Sequence, residues 1–333
     1  MKYKEILNNI KNKIYHPIYF LAGEEPYFID LISSAIEKEV LTESEKEFNL
    51  SVLYGLDVDV QTIIEQAKRY PMMSNYQVVI VREAQNLKNI DGFERYFNNP
   101  APTTLLVICY KNTKIDKRKK VYKSITNYGI YFESTKLYDS DIPGWITDYL
   151  KNLNYSINPK ATMLIAENIG AEISKIVNEL GKLIINIPQS TIIDEDIVEK
   201  NIGISKEYNI FELQDALGTK NIFKANKIIH YFAANNKEFP LPKVLPQLFS
   251  FYTKIMIYHQ FKDKSDRKGV AASLGINPFF IKQFQVAAQN YNFPKLVSII
   301  SYIKEYDLKS KGVNNASSPD GELLKELIFK ILH

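Results

Sequence analysis

The sequence predicts a mainly parallel α/β domain followed by an all-α region, and three observations carry that reading. Short apolar runs rich in β-branched residues recur through about residue 135, alternating with segments of helical period, the pattern of strands covered on both faces. From Asp141 onward no strand-like run recurs and helix signals dominate. The chain has 333 residues, too many for one ordinary core, so two or three domains are expected.

The first run, Ile18-Tyr19-Phe20-Leu21, is preceded by Pro17 and closed by Ala22-Gly23. Tyr27, Phe28, Leu31, Ile32 and Ala35 then recur at helical spacing, giving a strand, tight turn and helix. Phe48 to Tyr54 alternates with period two, and Val60 to Lys68 returns to a helical period. The runs Tyr76–Val81, Thr104–Tyr110 and Ile130–Phe132 supply three more strands, separated by segments long enough for crossover helices. Pro71 disfavours the α region for Tyr70, so the helix before the third strand is expected to stop there. That leaves Met72 and Met73 side by side on a connector. Two readings stay open for them: gap-filling core, or an apolar prong for a partner, since thioether side chains adapt to a pocket with little rotamer strain.

Beyond Asp141, a plausible helix N-cap, helices carry Trp145 to Leu150, Met163 to Ile169 after Asn158-Pro159, Ile173 to Leu180, and Asp194 to Asn201. Gly170 and Gly181 are expected to punctuate them. These make a small helical domain. Further amphipathic helices around 211–217, 222–234, 241–261, 278–289, 293–306 and 322–332 suffice for a separate bundle. Lys262 to Lys268 reads as a solvated loop and Gly312 to Gly321 as a turn-rich connector. The expected domains are therefore residues 1–140, 141–205 and 206–333.

Composition excludes several function classes. No window approaches the roughly 18 uninterrupted apolar residues of a membrane span. The N-terminus lacks a secretory apolar core and the single cysteine, Cys109, sits in an apolar run, so the expectation is a cytoplasmic, reduced protein. One cysteine and four scattered histidines cannot assemble a usual structural zinc site, and no metal or other cofactor is expected. A net charge of +4 is too mild to declare nucleic-acid binding.

The strand, glycine turn and helix at the start must be tested for phosphate binding. A P-loop requires G-x-x-x-x-G-K-[ST]. Counting from Gly23, the last three positions are Phe28, Ile29 and Asp30, and Glu24 and Glu25 add repulsion; nucleotide hydrolysis is not expected. The histidines lie in no catalytic motif, and Asp194-Glu195-Asp196 reads as a helix cap. The cluster Lys111, Lys114, Lys117, Arg118, Lys119, Lys120 and Lys123, with Tyr110 and Tyr122 inside it, could track a phosphate backbone or form a solvated face.

Several stretches, in this order and spacing, resemble the delta subunit family of the bacterial DNA polymerase III clamp loader across essentially the whole chain. They are Pro17 to Glu25 at the first strand, Met72-Met73-Ser74 before Gln77 to Val81, Asp116-Lys117-Arg118 after the Cys109 strand, Asp307 to Gly312, and Leu323 to Leu327. The resemblance implies an AAA+-like first domain with a degenerate P-loop that binds no ATP, a small three-helix lid, and a C-terminal helical collar that joins a hetero-pentamer. It implies as partners the sliding clamp (beta), the tau/gamma and delta-prime subunits, and primed DNA. No active site of its own is implied, although such subunits belong to a DNA-directed DNA polymerase, a nucleotidyltransferase holoenzyme. Two adjacent apolar residues before the third strand enter a clamp pocket in such proteins, and a nearby helix helps to spring one clamp interface. Those positions fall on Met72 and Met73, flanked by Arg69, Tyr70, Pro71 and Ser74. The candidate DNA-facing residues are Lys114, Lys117, Arg118, Lys119 and Lys120. Sister subunits would carry an intact P-loop or zinc-binding cysteines, which one cysteine excludes. A different class remains: a stand-alone nucleic-acid-binding regulator with an inactive nucleotide-binding fold.

Overall fold

A computed structural model describes residues 1–261, 263–315 and 317–333. Lys262 and Ala316, one in each expected surface connector, lie outside the described residues. The chain divides into two compact units, Met1–Lys136 and Leu137–His333.

The first unit opens with α1 (Tyr3–Lys11), β1 (Ile18–Gly23), α2 (Pro26–Glu39), α3 (Glu43–Asn49) and β2 (Leu50–Tyr54). It continues with α4 (Val60–Ala67), β3 (Gln77–Arg82), α5 (Glu94–Phe97), β4 (Thr104–Lys111), α6 (Lys120–Tyr128) and β5 (Ile130–Ser134). The five strands form one sheet in the order β2-β3-β4-β1-β5, every pairing parallel. β1 lies inside the sheet, between β4 and β5, and all six of its residues are buried, as are Val78 to Val81 of β3, which explains why these runs are apolar without alternation. Phe20, Val79, Val81, Leu106 and Ile108 share one core with Ile63, Phe93, Phe97 and Ile125 from the helices and 3-10 turns on that face.

One strand boundary differs from expectation. Phe48 and Asn49 end α3 rather than begin β2, because Thr42 and Glu45 form a capping box that starts a short helix.

The second unit begins with α7 (Ile142–Asn152), β6 (Ser156–Ile157), α8 (Pro159–Ile169), α9 (Ile173–Ile185), β7 (Ile192–Ile193) and α10 (Glu195–Ile202). β6 and β7 pair in parallel, so short strands do recur after residue 141, contrary to expectation. Asp141 makes no side-chain cap, since a 3-10 turn leads straight into α7, and Gly181 lies inside α9 without breaking it. Asn158 and Asp194 cap α8 and α10 as expected. The remaining helices are α11 (Ile210–Gly218), α12 (Ile222–Ala234), α13 (Leu241–Gln260), α14 (Arg267–Leu274), α15 (Ile281–Asn290), α16 (Phe293–Ser310) and α17 (Asp320–Leu332). Arg267 and Lys268, expected in a loop, start α14, capped by Asp266. One apolar core runs through these helices, from Ile210 to Ile331, with Phe232, Phe251, Tyr252, Tyr291 and Tyr306 among its largest members. The buried hydroxyl of Tyr291 donates to the Leu217 carbonyl at 2.8 Å, so the core's polar atom does not remain unpaired there.

Candidate functional site

Because every strand pairing is parallel, the sheet has one edge where strands end and another where they begin. The glycine turn after β1 lies at the first edge, where open α/β sheets bind ligands, and the loop before β3 lies at the opposite one. The two must be taken separately.

The turn after β1 is filled by the protein itself. Gly23 sits at φ +131°, and a Cβ there would lie 1.9 Å from the Ser134 carbonyl oxygen, so only glycine fits. Its N–H donates to the Thr113 carbonyl at 2.9 Å, and the Glu24 N–H to the Ser134 carbonyl at 2.9 Å. The Glu25 carboxylate caps α2 by accepting from the Tyr27 N–H at 3.1 Å, Pro26 has no N–H, and the Ser134 hydroxyl donates to the Glu25 carbonyl at 2.7 Å. Of the amides at this turn, those of Gly23, Glu24 and Tyr27 are therefore engaged and Pro26 has none to offer. Phe28 and Ile29 are buried in the core.

The basic cluster surrounds this turn, and most of its charge is matched. Lys111 reaches Asp30 at 2.8 Å and Glu83 at 3.3 Å. Burial alone pushes its amine down, but the two carboxylates hold it above its ordinary value. Lys114 lies 3.5 Å from Glu24 and 3.2 Å from Glu133, and Lys117 lies 2.7 Å from Glu133. Arg118 pairs with Asp116 at 2.8 Å and Lys119 with Asp91 at 2.7 Å; hydrogen bonds from Arg118 pull the Asp116 carboxyl down to about 2. Of the five candidate DNA-facing residues, only Lys120 has no ion-pair partner among the described residues. The Arg118–Asp116 and Lys119–Asp91 pairs are exposed, so each is weak and screened by salt, whereas Lys111 and Glu133 are partly buried and their pairs are screened less.

The loop before β3 is the opposite case. α4 stops at Ala67, three residues earlier than Pro71 alone suggested, because side chains from the sheet take its last carbonyls. Gln77, only 5% exposed, donates through Nε2 to the carbonyls of Ala67 at 3.2 Å and Arg69 at 2.7 Å, and to Thr104 Oγ1 at 2.9 Å. Thr104 Oγ1 donates to the same Ala67 carbonyl at 2.8 Å. Arg69 and Tyr70 are exposed, while Pro71 and Ser74 are half-buried. Met72 is 61% exposed and Met73 103% exposed, which overturns the gap-filling core reading for both. Met73 is in the left-handed region at φ +53°, rare for a methionine. Among the residues that sequence reasoning missed, Asn49 stands out: its carboxamide bonds both the N–H of Met72, at 2.7 Å, and its carbonyl, at 2.9 Å. Its sign in the sequence was the Thr42-x-x-Glu45 capping box, which puts Asn49 at a helix end rather than in a strand.

An anchored loop with two exposed methionines, on a parallel sheet whose phosphate turn is closed, can bind an apolar pocket. The family described as "DNA polymerase III, delta subunit" matches residues 19–135, and "DNA polymerase III delta subunit, C-terminal domain" matches residues 207–328. The chain belongs to the DNA polymerase III delta subunit family. It is 26% identical to DNA polymerase III subunit delta of Bacillus subtilis over 337 residues, covering 98% of this chain and 95% of that one. A solved structure of a Bacillus subtilis DNA clamp loader delta protein superposes with a TM-score of 0.52 at 23% identity, covering 99% of both chains, and shows the same fold. The expected class, a parallel α/β domain followed by a helical region, is the fold observed. Among the described residues no helix is long and apolar enough to cross a membrane.

Proposed function

We propose that this chain is the non-ATPase subunit of a replicative clamp loader, which binds the ring-shaped sliding clamp and opens it for loading onto primed DNA. The observation that carries the reading is the pair Met72 and Met73, held out of a folded domain by a fixed backbone in a member of this family. In this reading residues 1–140 bind the clamp, 141–205 form the lid, and 206–333 form the collar that joins the tau/gamma and delta-prime subunits in a cytoplasmic hetero-pentamer. Arg69, Tyr70, Pro71 and Ser74 frame the contact.

Opening a ring requires more than binding it. A ligand shifts an equilibrium only by its differential affinity for the two states, so the loop must fit the clamp better when one interface is sprung. The closed phosphate turn supports a subunit whose clamp contact does not depend on nucleotide of its own. The regulator reading gains no support from the basic cluster, four of whose five candidate residues are already ion-paired.

A pull-down separates the readings. The immobilised full chain should retain its cognate clamp without DNA or ATP. Retention of nucleic acid with a steep salt dependence, and no clamp, would favour the regulator.

A further inference from the structure

Met73 is the most exposed residue of the loop and also its most constrained. Its left-handed backbone is one that a methionine keeps only when its neighbours fix it. Those neighbours are on α3, a helix that lies outside the loop in sequence. Asn49, only 4% exposed, holds both backbone polar groups of Met72, as a neighbouring strand would, and its Nδ2 also donates to the Glu45 carbonyl at 3.0 Å. One turn earlier, Glu45 faces the same way. Its carboxylate accepts from the Thr42 N–H and hydroxyl, both at 2.8 Å, which fixes the start of the helix that carries Asn49. Residues four apart on a helix share a face, so the bond from Asn49 Nδ2 to the Glu45 carbonyl orients the carboxamide toward Met72.

We infer that Asn49 is a positioning residue for clamp binding: from the end of α3 it fixes the backbone of Met72 so that Met73 projects in its binding conformation before the clamp arrives. The inference rests on the clamp-binding reading above. A loop ordered in advance loses less freedom on binding than one ordered by its partner. Glu45 also belongs to the α3 capping box, so Asn49 is the cleaner residue to test.

The test is a double-mutant cycle on the full chain, titrated against its cognate clamp, with a thermal melt for every variant. Asn49→Ala removes both bonds to Met72. Asn49→Asp keeps the size and the acceptor for the Met72 N–H but sets a carboxylate against its carbonyl, which guards against a cavity effect. Each should weaken binding about tenfold at a temperature where the variant is fully folded. In a Met72→Ala, Met73→Ala background the same changes should cost less than about twofold, because nothing remains to be positioned. Equal losses in both backgrounds would mean that Asn49 acts on the fold at large, and no loss in either would mean that it positions nothing; both overturn the inference. If the double alanine variant itself binds the clamp like the parent chain, the clamp-binding reading has failed instead, and the inference with it.

Discussion

Replacing Met72 and Met73 together by aspartate should abolish tight clamp binding and leave the fold intact. With Met72 61% exposed and Met73 103% exposed, a pocket has roughly 0.6 of one methionine side chain and the whole of the other still to bury. Full burial of a methionine is worth about 1.5–3 kcal/mol, so the pair can contribute about 2.4–4.8 kcal/mol. At 1.4 kcal/mol per tenfold, the loss is between about fiftyfold and about three-thousandfold. Aspartates at these positions remain in water, and exposed substitutions change stability by about 0.5 kcal/mol or less, so the melting midpoint should stay within about 2 °C. Calorimetric titration against the clamp, beside a circular dichroism melt, reads both quantities. Parent-like affinity in a folded variant refutes the assignment. A collapsed melt would mean that the methionines support the fold, against the exposure from which the magnitude was worked.

Four further outcomes follow from other parts of the molecule. The purified chain should take up no ATP at micromolar concentration by calorimetry, and Gly23→Ala should cost at least about 3 kcal/mol in urea unfolding, because its Cβ meets the Ser134 carbonyl at 1.9 Å. Glu167 has an enclosed Oε2 with no hydrogen-bond partner among the described residues, and burial pushes its carboxyl up to about 8 despite the opposing pull of Lys254. The folded chain therefore binds more protons than the unfolded chain between its ordinary 4.5 and about 8, and stability falls as pH rises through that window. Glu167→Gln should melt several degrees higher than the parent at pH 8 and match it near pH 4; identical pH slopes would contradict the assignment. A fragment of residues 206–333 should melt cooperatively on its own, because its core takes its buried members from Ile210 to Ile331; a non-cooperative melt would count against the proposed collar boundary.

β1, β3 and β4 were legible because each is covered on both faces over almost all of its length and so carries an unbroken apolar run, whereas β2, only partly covered, showed as alternation and was placed two residues too early. The prong was legible as two candidates only. Pro71 located the connector, but exposure depends on what the rest of the chain leaves uncovered, and no local pattern carries that. The residues that shape the loop were illegible for a related reason. Asn49 acts on a position 23 residues away, and Gln77 reaches back 10 residues to Ala67 and across to Thr104 at a separation of 27, so neither has a local signature. Charge density misled in the same manner: Lys114 and Lys117 look like an open cationic face until folding brings Glu133 beside them. Gly181 shows the converse, since a glycine inside a strongly amphipathic segment costs only about 1 kcal/mol, too little to break α9 when its apolar face is packed.

The central claim is that Met73 itself meets the clamp, and a photo-crosslinking amino acid in place of Met73 tests it most directly. Irradiated with the cognate clamp in the absence of ATP and DNA, the full chain should form a single crosslinked species containing both proteins. The same substitution at exposed Leu56, in the turn after β2, should yield none. An irradiated mixture in which the clamp stays unmodified while the chain remains folded, or equal crosslinking from position 56, would contradict the account.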